Sequence, residues 1–371
     1  MRKISALSAL AALMLTACQS GGTVEPIKIG LVTALTGDVA SVGNDVFKGA
    51  QLKLKEINDA GGINGRQVEL VAEDGKCTGV DGASAVQKLI NVDKVVAIHG
   101  AGCSGESLAA ASIAEAAHVV MMSPSSSSPD LTQAGDYFFR TFPNDALKTT
   151  VMAKYFQDSG LSKVAIITEN VDYAVGFRDS LEKDIGTGAF VFDERVEPGT
   201  KDFRTLVTRL KDIDFDIIVT NFTSPSAVGL LLQQLREQGL TQQAIGHDIA
   251  DTQETIDAGQ EAAEGLRVIN VPSIAADTDF GQQFIAAYGQ PQASLSWASY
   301  GYDTLGVLAE AIAAAGTEGE AIRDYLYNME SYDGVVGHIS FDENGDVQGV
   351  RYALKEVKDG AFVTIGDVAV N

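Results

Sequence analysis

The sequence predicts an α/β protein of two lobes, each a parallel sheet covered by helices. Three observations carry this. Short β-branched runs alternate with helical patterns along most of the chain, the order that parallel sheets need. The alternation occurs twice, on either side of Thr141-Phe142-Pro143-Asn144, where Pro and Asn mark a loop and Asp145 can start a helix. Finally, 371 residues exceed what one hydrophobic core usually organises.

In the first half, Ile27-Lys28-Ile29-Gly30-Leu31-Val32 reads as a buried strand, followed by a polar loop from Thr36 to Gly43. Asn44 is expected to cap the next helix. There Phe47, Ala50, Leu54 and Ile57 fall on one face, and Gly61-Gly62 ends it. Strand Val68–Val71, helix Val80–Ile90, strand Val95–Ile98, helix Glu106–Ala117 and strand Val119–Met122 follow. The second half repeats the plan. Strands are expected at Val164–Ile167, Phe190–Phe192, Ile217–Val219 and Leu266–Ile269, with helices at Ala174–Ile185, Phe203–Leu210 and Val228–Gln238 between them. Helix Tyr302–Ala315 comes next, and the C-terminal segment alternates strands and turns. Asp342-Glu343-Asn344-Gly345-Asp346 lacks the full ligand spacing of a calcium loop and is expected to be a solvated hairpin turn.

With 45% hydrophobic and 21% charged residues the composition is that of a globular protein, which excludes collagen-like and disordered readings. A formal charge of −23 repels phosphate backbones, so no nucleic-acid partner is expected. No apolar run is long enough for an ordinary membrane-spanning helix. Arg2 and Lys3 precede an apolar stretch, Ile4–Leu15, which reads as the core of a signal peptide over residues 1–17. Leu15-Thr16-Ala17-Cys18 resembles the lipobox of bacterial lipoproteins. That resemblance implies cleavage before Cys18, lipidation of Cys18 and a small-residue tether over 18–25. Cys77 and Cys103 then remain as an even pair in an exported chain. A disulfide is the expectation, with two free thiols as the alternative. The four His are scattered and none sits at ligand spacing, so no metal site is expected.

Open α/β sheets bind ligands beyond the carboxyl ends of their strands, and two such edges facing each other make a cleft that closes by hinge motion. Gly100-Ala101-Gly102-Cys103-Ser104-Gly105 lies after a strand and before a helix. It follows the third strand rather than the first, and no acid ends the next strand, which argues against a dinucleotide fingerprint. Backbone N–H groups and the Ser104 hydroxyl at a helix start suit a carboxylate or another small anion. The loop Ser123-Pro124-Ser125-Ser126-Ser127-Ser128-Pro129-Asp130, at the end of the fourth strand, offers further hydroxyls. No GxSxG occurs and His118 falls at the far end of a strand, so no catalytic residue is assigned and no enzyme is expected. In the second lobe Tyr173 opens a helix, and Asp248 follows the short run Ala244-Ile245. Asp248 either caps the next helix or pairs with a ligand ammonium at the cleft edge.

Several stretches carry a wider likeness: Leu35-Thr36-Gly37, Gly61-Gly62-Ile63-Asn64-Gly65, Lys201-Asp202-Phe203, Asp214-Phe215-Asp216, Ala263-Glu264-Gly265 and Phe341-Asp342 with Gly345-Asp346. Through them, and through Cys77, Cys103 and Ser123-Pro124, the chain resembles the leucine/isoleucine/valine-binding proteins, type I periplasmic solute-binding receptors of ABC importers. The resemblance implies two Rossmann-like lobes with parallel central sheets joined by a three-crossover hinge. Residues 26–142 and 273–340 would form lobe 1, and 143–272 and 341–371 lobe 2. It implies an amino-acid ligand, branched-chain or aliphatic. Ser104, Ser125 and Ser127 would hold the carboxylate, Asp248 the ammonium, and Tyr173 would pack over the ligand backbone. Asp248 is one methylene shorter than the Glu of the leucine-type receptors. The implied partners are an ABC permease and, through Cys18, a bilayer, with the chain acting as a monomer in the periplasm or at the cell surface and needing no cofactor. The side-chain wall departs from the family at Val42, near Thr223-Ser224 and at Leu295, where aromatic residues are usual. Another amino acid, an amide or a urea-like solute, or a sensory role, is therefore the alternative.

Overall fold

The computed structural model describes residues 25–368. The signal peptide, Cys18 and nearly all of the tether lie outside the described residues.

The first sheet has the order β2-β1-β3-β4-β5, with every pair parallel. Its strands are β1 (Ile27–Thr33), β2 (Val68–Asp74), β3 (Ala97–His99), β4 (Val120–Ser123) and β5 (Phe138–Arg140), with α1 (Ala40–Asp59), α2 (Gly79–Lys88) and α3 (Ser104–Ala117) between them. The chain then crosses to the second lobe through residues 141–144. There α4 (Asp145–Asp158), β6 (Val164–Glu169), α5 (Asp172–Ile185), β7 (Phe190–Val196) and α6 (Arg204–Leu210) lead to β8 (Ile217–Asn221) and α7 (Pro225–Glu237). β9 (Gln243–Gly246), α8 (Gln253–Gly259) and β10 (Arg267–Asn270) complete the parallel part. A second crossing returns the chain to lobe 1 for α9 (Asp279–Tyr288), α10 (Leu295–Ala315), α11 (Gly319–Asn328) and the small hairpin β11 (Tyr332–Gly334) and β12 (Gly337–Ile339). A third brings β13 (Tyr352–Lys358) and β14 (Ala361–Val368) to the second sheet, whose order is β14-β13-β10-β9-β8-β6-β7. β13 runs antiparallel to β10, and β14 antiparallel to β13, so an antiparallel pair edges the parallel sheet.

The central strands of both sheets are buried on both faces, which is why they read as continuous apolar runs rather than alternating ones. All six residues of β6 are buried. Ala165, Ile167 and Ile218 face Phe203 and Leu231, while Ile166 and Val219 face Met152 and Phe177. In lobe 1, Leu31, Ala97 and Met122 pack against Leu305 and Leu308 of α10. Helices α1 and α10 meet backbone to backbone, since a Cβ on Gly49 would stand 1.8 Å from the Ala298 carbonyl oxygen.

Four sequence expectations are corrected. Asn44 does not cap α1; the helix starts at Ala40, and the Asn44 amide donates to the carbonyls of Leu35 and Ala40 from within it. α10 begins at Leu295 rather than Tyr302, because its first two turns are also core: Leu295, Trp297, Ala298 and Tyr300 are buried. The Asp-rich turn is only partly solvated: Glu343 is exposed, but Gly345 and Asp346 are buried. Asp346 is buried and takes two hydrogen bonds from the Arg140 guanidinium at the end of β5. For the same reason the last crossing falls after Val347 and not at 340/341. Phe341 and Val347 pack into the lobe 1 core, whereas Tyr352 already belongs to the second sheet.

Candidate functional site

The carboxyl ends of the two sheets face each other across a cleft of about 450 Å³, a size ordinary for small-molecule sites. On the lobe 1 side the start of α3 forms its wall. Cys103 is extended and bonded to Cys77. The buried Glu106 carboxyl accepts the backbone N–H of Cys77 at 2.7 Å and of Cys103 at 3.0 Å, so one side chain pins both halves of the disulfide. Burial raises its pKa to about 7, against the pull of those N–H bonds. The first N–H groups of the helix have no intrahelical acceptor and form an anion seat.

Ser104 lines this wall. Its oxygen accepts the N–H of Ser127 at 3.3 Å and of Ser128 at 3.1 Å, which leaves its own proton to donate. Ser125 also lines the cleft, donating to the Gly102 carbonyl at 2.7 Å. Ser127 is fully buried behind this surface, and its hydroxyl donates to Asp145 at 2.8 Å.

The lobe 2 wall is built by the turns after β6, β8 and β9. Glu169, at the end of β6, ties the turn after β7 to the turn after β8, accepting from the Gly199 N–H and from both the N–H and hydroxyl of Thr223. Tyr173 and Asp248 lie side by side in the wall, the Tyr hydroxyl donating to Asp248 Oδ1 at 3.0 Å. His247 Nδ1 stands 2.7 Å from the same oxygen, and its ring stacks on Phe177. Lys148, fully buried, donates to Asp145 at 2.6 Å and again to Asp248 Oδ1 at 2.6 Å. Burial alone would raise the Asp248 carboxyl; the Lys148 ammonium and His247 outweigh it and hold Asp248 well below the usual carboxylate range. At Asp145 burial prevails over Lys148 and the pKa is raised. Asp145 and Asp248 raise the Lys148 pKa in spite of its burial.

Two consequences follow from this cluster. Lys148, Tyr173 and His247 all converge on Oδ1 of Asp248, and no donor reaches Oδ2 among the described residues. The cluster also sets two carboxyl groups, Asp145 and Asp248, around the single Lys148 ammonium. A chain of contacts, Ser104 to Ser127 to Asp145 to Lys148 to Asp248, joins one wall to the other through the first crossover.

Val42, Ile249 and Trp297 supply apolar surface between these groups. Leu295, expected in the side-chain pocket, instead packs with Leu52, Phe280 and Phe284; Trp297, two residues on, is the one that reaches the cleft. Sequence reasoning missed Lys148, Asp145, His247 and Trp297. The spacing of Asp145 and Lys148 places both on one helix face, but a lysine in a helix ordinarily marks the solvent side.

A donor-lined wall in one lobe, an acid with an unpaired oxygen in the other, and a hinge of three crossings define a solute-binding protein that grips its ligand between two jaws. The chain belongs to the periplasmic binding protein family, whose sequence pattern matches residues 26–361. It is 29% identical to the Leu/Ile/Val-binding protein of Escherichia coli (strain K12) over 339 residues, 89% of this chain and 90% of that protein. The solved leucine binding protein of Thermotoga maritima superposes with a TM-score of 0.82 at 28% identity, covering 92% of this chain and 98% of that one. A branched-chain amino acid transporter substrate binding protein of Streptococcus pneumoniae, solved in complex with isoleucine, gives a TM-score of 0.82 at 29% identity, covering 92% and 100%.

Proposed function

We propose that the chain is the extracytoplasmic substrate-binding lipoprotein of an ABC importer. It captures an amino acid, branched-chain or aliphatic, in the inter-lobe cleft and delivers it unchanged to the permease. The observation that carries this reading is the pairing of complementary groups on opposite walls. The α3 amides and the Ser104 hydroxyl await a carboxylate, while Asp248 Oδ2 awaits an ammonium. The ligands for which the relatives are named, leucine, isoleucine and valine, agree with an aliphatic α-amino acid. Ser125 adds to the carboxylate wall, Ser127 supports it from behind, and Tyr173 covers the ligand backbone while orienting Asp248. Closure removes water and strengthens each of these polar contacts. Cys18, once lipidated, holds the protein at the membrane beside its permease.

A thermal-shift screen of tether-free protein against amino acids and amides, followed by calorimetry on Asp248→Ala, tests this reading. Aliphatic amino acids are expected to stabilise the protein, and the variant to lose their binding. Unchanged affinity in Asp248→Ala would remove Asp248 from the site; stabilisation by amides alone would replace the ligand class.

A further inference from the structure

A second cavity, of about 520 Å³, lies at the hinge and shares no lining residue with the cleft. All three crossovers border it: Thr141 from the first, Val271 and Pro272 from the second, and residues 348–351 from the third. One aromatic layer separates it from the cleft. Trp297, in the cleft wall, stacks on Phe142 at 5.0 Å; Tyr300, in the cavity wall, meets the same ring edge-on at 4.9 Å. Phe142 itself belongs to the first crossover.

Two features of the cavity point to a ligand. Tyr300 is only 6% exposed, and its hydroxyl has no hydrogen-bond partner among the described residues. The charge of the lining is also unusual. The chain carries 50 acidic residues, but none lines this cavity, which instead presents Arg351. The acids nearby are engaged elsewhere: Asp303 accepts the N–H groups of Val335 at 3.0 Å and Val336 at 2.8 Å, and Asp333 pairs with His338. Much of the remaining surface is apolar, from Val271, Val336, Ile339, Val347 and Val350.

We propose that this hinge cavity is a second ligand site, which takes a small amphipathic carboxylate. Its oxygens meet the unused donors of Tyr300 and Arg351, and its hydrocarbon lies against the valines. Because every connection between the lobes borders the cavity, opening or closing of the lobes reshapes it. A molecule bound there favours the lobe arrangement that gives the cavity this shape. By linkage, it and the cleft ligand alter each other's affinity by the same factor. The proposal does not depend on the identity of the cleft ligand.

Hexanoate is a suitable probe, followed by calorimetry and by the fluorescence of Trp297, the single tryptophan of the chain. Saturable binding with a change in Trp297 emission is expected. Arg351→Gln should weaken it about tenfold or more, since charge-assisted hydrogen bonds are lost, and Tyr300→Phe should weaken it as well. Arg351 is exposed, so its variant keeps the test intact should Tyr300→Phe fail to fold. Absence of saturable binding would overturn the proposal. So would binding that both variants leave unchanged and Ser104→Ala weakens, because hexanoate would then sit in the cleft.

Discussion

Asp248 carries the largest electrostatic burden of any single residue in the site. It is 1% exposed, already bonded to an ammonium, and still offers an oxygen to the cleft. Truncating one partner of a buried charge pair costs about 2–5 kcal/mol of binding. Asp248→Asn should therefore raise the dissociation constant for an aliphatic amino acid by about a hundredfold in calorimetry, and an unchanged constant would refute its role. Lys148 belongs to the same balance but acts on stability. Lys148→Met leaves Asp145 and Asp248 buried without their cation, and a loss of about 3–5 kcal/mol in urea unfolding at neutral pH is expected. The two residues were unequally legible in the sequence. Asp248 followed a short apolar run, Ala244-Ile245, at a position that the family resemblance singled out. Lys148 did not stand out, because only the packed fold shows that its side of α4 faces Asp248 rather than water.

At the scale of elements, the start of α3 depends on a carboxyl, that of Glu106, which does not line the cleft. Glu106 ionises at about 7 in the folded protein, against 4.5 ordinarily, because burial outweighs the N–H groups of Cys103 and Cys77. Between those values the folded state keeps a proton that the unfolded chain has released. The Glu106 contribution to stability is thus whole below pH 4.5 and declines as pH rises towards 7. Glu106→Gln should remove this decline from a pH series of denaturation curves; parallel curves for both proteins would contradict it. The disulfide fixes the same corner. Its two cysteines are 26 residues apart, and replacing both by Ser should lower stability by about 3 kcal/mol, measured by denaturant unfolding, with weaker ligand binding as α3 loses its anchor. The alternation of strands and helices was readable here, because buried parallel strands and amphipathic helices each leave a distinct pattern. β5 was not, since three residues are too few to show a period. The Asp342–Asp346 turn misled for another reason: its composition is that of an exposed turn, and its burial depends on Arg140, some two hundred positions away.

For the whole molecule, the proposed function rests on the union of two half-sites that neither lobe possesses alone. The twofold repetition in the sequence was enough to announce two lobes and a cleft. It could not place the last crossing, because that depends on which core receives Phe341 and Val347. Binding that joins the lobes stabilises the folded chain by mass action. An amino acid at a hundred times its dissociation constant should add about 2.7 kcal/mol, seen as a raised melting temperature, and only about 0.4 kcal/mol in Asp248→Asn at the same concentration. The most direct test removes one charge at a time from the ligand rather than from the protein. Calorimetry would compare L-leucine with 4-methylpentanoate, which lacks the ammonium, and with 3-methylbutylamine, which lacks the carboxylate. Tight binding of leucine, with each truncated analogue weaker by about a hundredfold or more, is the expected result; an analogue that binds as tightly as leucine would show that the opposed grips of Ser104 and Asp248 do not hold the solute.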